Sequence, residues 1–253
     1  MATKRKTMKL RGGDVLIVGE YHDGRYGAPG TPRQKKKKPT KEDMQRVNAA
    51  NKARLCQCRM IQYMTPEDYF ATLTYRVEDR PADMEQAKKH WKTLIERIRK
   101  EYRKRGSPLY WIRNIEQGTR GAWHIHLILT GIPETAGILE EAWTHGGIYV
   151  EKLKKSKYYD EDFSRLAAYI TKSQHTQEKK ADGSTAKPRI KESSYSTSRN
   201  MPLPEPTVDK LRRWKKEVKP KKGYYIAKIH EGINPKTGYK YRRYTMIRLN
   251  RRI

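Results

Sequence analysis

Residues 109–129 read LYWIRNIEQGTRGAWHIHLIL, two apolar runs parted by a polar stretch that carries both of its glycines. The composition predicts a strand from Leu109 to about Glu116 and another from Ala122 to about Leu129. Gln117-Gly118-Thr119-Arg120-Gly121 between them has hairpin-loop chemistry. Upstream, Asp83 is an N-cap residue type, and Met84, Ala87, Trp91, Leu94, Ile95, Ile98 and Tyr102 recur on one helical stripe that stops before Gly106. Phe70-Ala71-Thr72-Leu73-Thr74-Tyr75 reads as a strand before that helix. A further helix is predicted from Thr40, as N-cap, to about Met60, with Met44, Val47, Leu55 and Cys58 on its apolar side. Downstream come a short helix from Ala136 to Trp143 ending at Gly146-Gly147, a strand Ile148-Tyr149-Val150, and a helix from about Asp162 to Lys172.

The order β-α-β-β-α-β-α predicts an α+β, ferredoxin-like split βαβ fold, in which an antiparallel sheet carries helices on one face and leaves the other for ligand. That domain is expected over residues 40–175. Residues 1–39, dominated by Gly, Pro and basic residues, are expected to form an N-terminal arm, apart from a short edge strand at Val15-Leu16-Ile17-Val18. Residues 176–200 are polar and read as a linker. Residues 201–253 form a small C-terminal extension with a helix over Val208–Val218 and two tyrosine-rich strands, Tyr224–Ile229 and Tyr239–Leu249.

Charge narrows the partner. The 253 residues hold 57 Lys plus Arg against 28 Asp plus Glu, a formal charge of +29, with 17 Tyr and 5 Trp but only 2 Phe. Lys and Arg release the counterions of a polyanion, and Tyr and Trp stack on bases, so nucleic acid is the expected partner. No apolar run is long enough for a membrane span, and no signal stretch follows Met1, which predicts a soluble intracellular protein. Cys56 and Cys58 are too few for a disulfide framework or a four-thiolate zinc site and are expected to pack on a helix. His22, His90, His145, His175 and His230 have no partner spacing and are expected at the surface.

The chemistry concentrates in Trp123-His124-Ile125-His126-Leu127-Ile128-Leu129. One residue apart on a strand, the two imidazoles share a face while their apolar neighbours point to the core. Two imidazoles side by side suit a divalent metal that needs a third, hard ligand, and Glu116 lies on the adjacent strand. An odd hairpin loop puts Glu116 and Asn114 on the histidine face; an even loop turns Glu116 away. Two His and one carboxylate with open positions suit Mg²⁺ or Mn²⁺ as a Lewis acid on a phosphate oxygen. On the last helix Tyr169 and Lys172, three apart, share an exposed edge, where a phenol can attack phosphorus and leave a phosphotyrosine and a 3′-OH. Tyr158 and Tyr159 precede that helix and lack the Lys172 spacing.

Taken in order, the strand motif Phe70–Tyr75, Glu116 followed by His124-Ile125-His126, and Tyr169-Ile170-Thr171-Lys172 resemble rolling-circle replication initiators of the HUH endonuclease superfamily, closest to those grouped with filamentous-phage gene II proteins. Ser198-Arg199-Asn200-Met201-Pro202-Leu203-Pro204 also resembles a segment of that family, so the likeness runs from about Lys41 to Pro204. It implies an HUH nickase fold, a metal held by His124, His126 and Glu116, Tyr169 as nucleophile, and Lys172 positioning the phosphate. Some phage initiators carry a second nucleophilic tyrosine on the helix; Ser173 and Gln174 stand in that turn here, which implies a single-tyrosine mechanism. The implied partner is single-stranded or hairpin origin DNA, in the cytoplasm of a bacterial host, from a phage, plasmid or mobile element. No ATP-binding Gly-x-x-x-x-Gly-Lys motif occurs, so strand separation falls to a helicase in trans. Lys35, Lys36, Lys37 and Lys38, Arg165 on the nucleophile helix, and Arg242 and Arg243 on the last strand are the expected DNA contacts. A single-strand transposase, a relaxase or a non-catalytic nucleic-acid-binding module are the rival readings.

Overall fold

The computed structural model describes residues 3–24, 26–118, 121–172, 190–191 and 195–249. In chain order the elements are β1 (Thr3–Leu10), β2 (Val15–His22), α1 (Lys41–Tyr63), β3 (Tyr69–Thr74), α2 (Met84–Lys104), β4 (Trp111–Gln117), β5 (Trp123–Leu129), α3 (Thr135–Ala142), β6 (Ile148–Lys152), α4 (Ser164–Ile170), β7 (Ile190–Lys191), β8 (Ser196–Thr197), β9 (Thr207–Lys210), β10 (Tyr224–Ile233) and β11 (Lys240–Arg248). The chain divides into two units, Lys52–Pro202 and Met1–Asn51 with Leu203–Ile253.

The central unit is α+β, as the sequence predicts. Its sheet runs β6-β3-β5-β4, every pairing antiparallel, with β7 and β8 both on the outer edge of β4. Strands and helices alternate as the split βαβ pattern requires. One face carries the core: Ala71, Leu73, Ile115, Ile125 and Leu127 pack with Trp91, Leu94, Ile95 and Ile98 of α2 and with Ile138 and Leu139 of α3. The Asp83 carboxylate caps α2 by accepting from the Gln86 N–H at 2.8 Å, which fixes where that stripe begins. Asp68 anchors the start of β3, accepting from the N–H groups of Thr65 at 2.6 Å and Gly131 at 2.7 Å; its burial pushes the carboxyl pKa up. Gly146 lies so close to the backbone of Thr74 and Arg76 that a Cβ would collide with both, so only glycine lets the chain pass from α3 into β6 there.

Several expectations are corrected. Residues 1–39 are not an arm: β1 and β2 lie inside a five-stranded sheet ordered β10-β11-β2-β1-β9. A strand hides only part of its side chains, so Thr3, Met8 and Leu10 are buried while the intervening Lys and Arg of β1 are not, and that alternation reads locally as a polar tail. The strands that complete the sheet lie at the other end of the chain. The helix expected over Val208–Val218 is absent; Thr207–Lys210 instead forms β9 on the free edge of β1, and Trp214 is buried beyond it. The polar stretch 176–200 ends inside the central unit, where β8 and Ser198 pair with β4; residues 176–189 and 192–194 lie outside the described residues. An exposed strand edge of β4 is thereby covered.

Thr40 caps α1 as expected, its Oγ1 accepting from the Asp43 N–H while Asp43 accepts from the Thr40 N–H. The apolar side of α1 is different from that expected: Met44, Val47 and Leu55 are exposed, and Cys56, Cys58, Met60 and Ile61 are buried. Cys56 and Cys58 do pack as small core residues, and burial pushes the Cys58 thiol up to about 11 and Cys56 upward as well. His22 is buried rather than superficial, stacked on Tyr239 with ring centroids 4.0 Å apart. His175 lies outside the described residues. No helix among the described residues is long and apolar enough to cross a membrane.

Candidate active site

The site is built on the sheet face opposite α2 and α3. Gln117 pairs with Trp123, so the hairpin loop is the odd one, and Glu116 stands directly across from His124 and Asn114 across from His126. On the other side of β5, Thr72 faces His126 and Thr74 faces His124. Both imidazoles, Glu116, Asn114 and Thr72 therefore share one face, as an odd loop requires.

The nucleophile helix is short and held from below. Phe163, which precedes α4, has a left-handed φ of 56°, a conformation that costs a bulky residue of order 1–3 kcal/mol. It is held there by a web of acceptors: Asp160 accepts from the Arg165 N–H and the Ser164 hydroxyl, and Asp162 accepts from the Ser164 N–H. Gln57 of α1 donates from Nε2 to the Asp162 carbonyl and carboxylate, at 2.9 and 3.0 Å. Leu166, Ala167 and Ile170 are buried, which leaves Tyr169 half-buried on the edge facing the histidines.

Tyr169 Oη lies 3.3 Å from His126 Nε2, and the same nitrogen lies 3.0 Å from Glu116 Oε1. The other ring nitrogen, Nδ1, is 3.2 Å from Thr72 Oγ1. An imidazole nitrogen offers one in-plane hydrogen bond, as donor or acceptor. Glu116 and Tyr169 therefore compete for Nε2, an arrangement that hydrogen bonding alone satisfies only in part. The rings are fixed from the sides: Tyr158 stacks on Tyr169 with centroids 3.8 Å apart and planes 17° from parallel. Phe70 meets Tyr169 edge-on at 6.2 Å and lies nearly parallel to His126 at 6.0 Å. The rings of His124 and His126 are nearly parallel, 6.3 Å apart. As they stand, no three His, Cys, Asp or Glu side chains among the described residues are gathered into a metal-binding group.

The predicted residues thus divide. His126, Glu116 and Tyr169 converge, and His124 stands beside Glu116 in register. Lys172 follows one turn later, its N–H donating to the Tyr169 carbonyl at 3.3 Å. Arg165 is exposed on α4. Lys35–Lys38 are exposed, in the other unit, and run along the turn between β10 and β11, where the Lys37 N–H donates to the Pro235 carbonyl. Arg243 is half-buried and donates to Asn51 Oδ1 at 3.2 Å. Arg242 is corrected: only 2% exposed, it donates from Nε to Glu20 Oε2 at 2.5 Å and stacks over Trp214, so its charge is spent inside the fold and reaches no ligand. Thr72, Phe70 and the stacking role of Tyr158 escape the sequence reading. Phe70 and Thr72 sit in a recognisable strand, but which residue they oppose depends on a register that single-strand patterning does not carry.

Residues 68–174 match a family model for a replication-associated protein, ORF2 and its relatives, a segment that holds His124, His126, Glu116, Tyr169 and Lys172. The match supports a replication-initiator family and a replication role. No curated protein and no solved structure matches the chain.

Proposed function

We propose that this protein is a metal-dependent, site-specific single-strand DNA endonuclease and strand transferase of the HUH type that initiates rolling-circle replication. The observation that carries the reading is the convergence of Tyr169 Oη, His126 Nε2 and Glu116 Oε1 on one point of the sheet face. Two oxygens contending for one ring nitrogen is the arrangement a small cation relieves, and an N···O separation of 3.0 Å is also that of neighbouring ligands each about 2.1 Å from one ion. His126, Glu116 and, across from it, His124 are the donors that fit Mg²⁺ or Mn²⁺. Bound there, the ion would act as a Lewis acid on a non-bridging phosphate oxygen.

The chain's own residues supply the rest. Tyr169 Oη attacks phosphorus; the Oη–P bond forms as the P–O3′ bond breaks, the phenol gives up its proton, and the departing 3′ oxygen gains one. The product is a 5′-phosphotyrosine that a later 3′-OH reverses, which rejoins the strand. Thr72, holding Nδ1, orients the His126 ring so that Nε2 faces the reaction. Tyr158 and Phe70 keep the phenol ring aimed. Lys172 steadies the phosphate. Single-stranded or hairpin origin DNA is the substrate, and a separate helicase opens the duplex.

Incubating the protein with labelled single-stranded origin DNA and Mn²⁺ or Mg²⁺ should yield a denaturation-resistant adduct. Tyr169→Phe should abolish it with DNA affinity nearly unchanged, and His126→Ala should slow it, with partial recovery at high metal. An adduct that persists in Tyr169→Phe, or that forms equally in chelator, would overturn this assignment. Without any adduct, the non-catalytic binding module becomes the reading; transposition or transfer would use the same adduct and is separated by the DNA sequence cleaved.

A further inference from the structure

The terminal unit has a cleft of its own, about 550 Å³, lined by Pro32, Arg213, Trp214, Lys215, Lys216 and Lys240. Its walls are tied by backbone bonds: the Trp214 N–H donates to the Pro29 carbonyl at 2.9 Å, and the Lys240 N–H to the Pro32 carbonyl at 3.1 Å. The buried Arg242 guanidinium adds a brace, donating from Nη1 to the Lys215 carbonyl at 2.9 Å. The cations therefore stand on a fixed frame. Arg213, Lys215 and Lys216 are exposed, and none has an ion-pair partner among the described residues; Lys240 is paired with Glu231 at 2.6 Å. From the same rim the chain continues from Pro32 past Arg33, which bridges to Tyr239, to the four lysines Lys35–Lys38 beside Pro235–Gly238. Gly238 permits that approach: its φ is +72°, and a Cβ there would strike the Gln34 carbonyl.

We propose that this cleft holds the phosphodiester backbone of a single DNA strand without reading its bases. Closely set, unneutralised cations on rigid backbone favour a polyanion through counterion release. A cavity of this volume takes a ligand of one or two nucleotides rather than a duplex. Trp214, the aromatic residue among the lining side chains, is 4% exposed and covered by Arg242, whose guanidinium lies 4.5 Å from the ring centre, so no base can stack on it. Recognition is left to charge. The inference rests on the polynucleotide substrate of the proposed function and assigns a second contact, built in a different unit from Tyr169.

The test is fluorescence anisotropy of labelled oligo-dT, and of a mixed-sequence strand of equal length, across a salt series. In the full chain, Arg213→Gln with Lys215→Gln and Lys216→Gln should lower the slope of log affinity against log salt by about 2, since each lost single-strand phosphate contact removes about 0.7. The drop should be the same for both strands, and Lys215→Gln alone should lower it by about 0.7. A charge-matched control on the exposed side of α2 (Lys92→Gln, Arg99→Gln, Lys100→Gln) should leave the slope unchanged. An unchanged slope in the cleft variant, an equal drop in the control, or a drop confined to one sequence would overturn the proposal. Adduct formation at saturating DNA is read separately: its absence in the unsubstituted protein counts against Tyr169 chemistry, whereas an intact adduct with an unaltered slope counts against the cleft alone.

Discussion

Both sheets of this protein bury charged groups, and they use them in opposite ways. In the central unit Glu116 and His126 are almost wholly buried, yet both are turned toward Tyr169 on the one face that α2 and α3 leave uncovered. In the terminal unit the buried charges face one another. Glu20, fully covered, receives Arg242, Arg5 at 2.8 Å and the Tyr244 hydroxyl at 3.1 Å, which leaves its acceptors occupied. The apolar cores differ in step. The central one gathers Trp91, Trp111, Trp123 and Trp143, whereas the terminal one has Leu16, Val18, Tyr224, Tyr244 and Met246 as its buried members. A buried charge with every partner in place is structure; one with partners in competition is a site.

The sharpest way to break that contrast is to remove the central cation of the terminal network. Stripping one partner from a buried pair strands the other and costs about 3–5 kcal/mol. Arg242→Ala should fall near the lower end, because Arg5 and Tyr244 still reach Glu20. Denaturant unfolding followed by the fluorescence of Trp214, which sits under Arg242, measures it; a loss below about 1 kcal/mol would mean that the network is ordinary surface electrostatics. On the active-site side the expected effect is smaller. Tyr158→Ala removes the stack that aims Tyr169 and should slow adduct formation at saturating DNA about tenfold, near 1.4 kcal/mol of barrier, without weakening DNA binding. Tyr158→Phe keeps the stack and should restore the rate. If Tyr158→Phe is as slow as Tyr158→Ala, the hydroxyl and not the ring is what Tyr169 needs.

The same contrast explains what could be read from the sequence. The central sheet was legible because its strands alternate with helices over short connections, so each element announces itself by its own period: the α2 stripe from Ala87 to Tyr102 is buried as read, and the parity of the 117–123 hairpin was enough to place Glu116 with the histidines. The terminal sheet was not, because β2 lies between β1 and β11, and Val18 is paired with both Thr7 and Tyr244. Pairing between chain ends leaves no local signature, and strands with lysine and arginine at their uncovered positions read as a tail. Arg242 shows the same limit. Alternation gives it a face, but only the position of Glu20, opposite it on β2, decides that the face points inward.

The smallest effect expected is a proton's. His90 of α2 stacks on His145 with centroids 4.1 Å apart, and Tyr75 flanks both rings. Burial first, and the neighbouring His145 charge second, hold the His90 pKa below its ordinary value, while Asp79, near His145, pulls the other way. A histidine whose folded pKa is depressed binds fewer protons in the native state than in the unfolded one. Its contribution to stability is therefore whole above about pH 6.5, the unfolded value, and is lost as pH falls through the folded one. Trp143, whose ring lies 5.2 Å from His145, reports the central unit by fluorescence, so melting followed there should fall as the pH is lowered from 7 toward 5. His145→Ala removes the charged neighbour and should raise the His90 pKa seen by NMR, blunting the acid effect. Asp79→Asn removes the pull in the other direction and should deepen it. Should both variants move the His90 titration the same way, the two charges do not act on His90 through the stack, and the acid sensitivity of this unit must lie elsewhere.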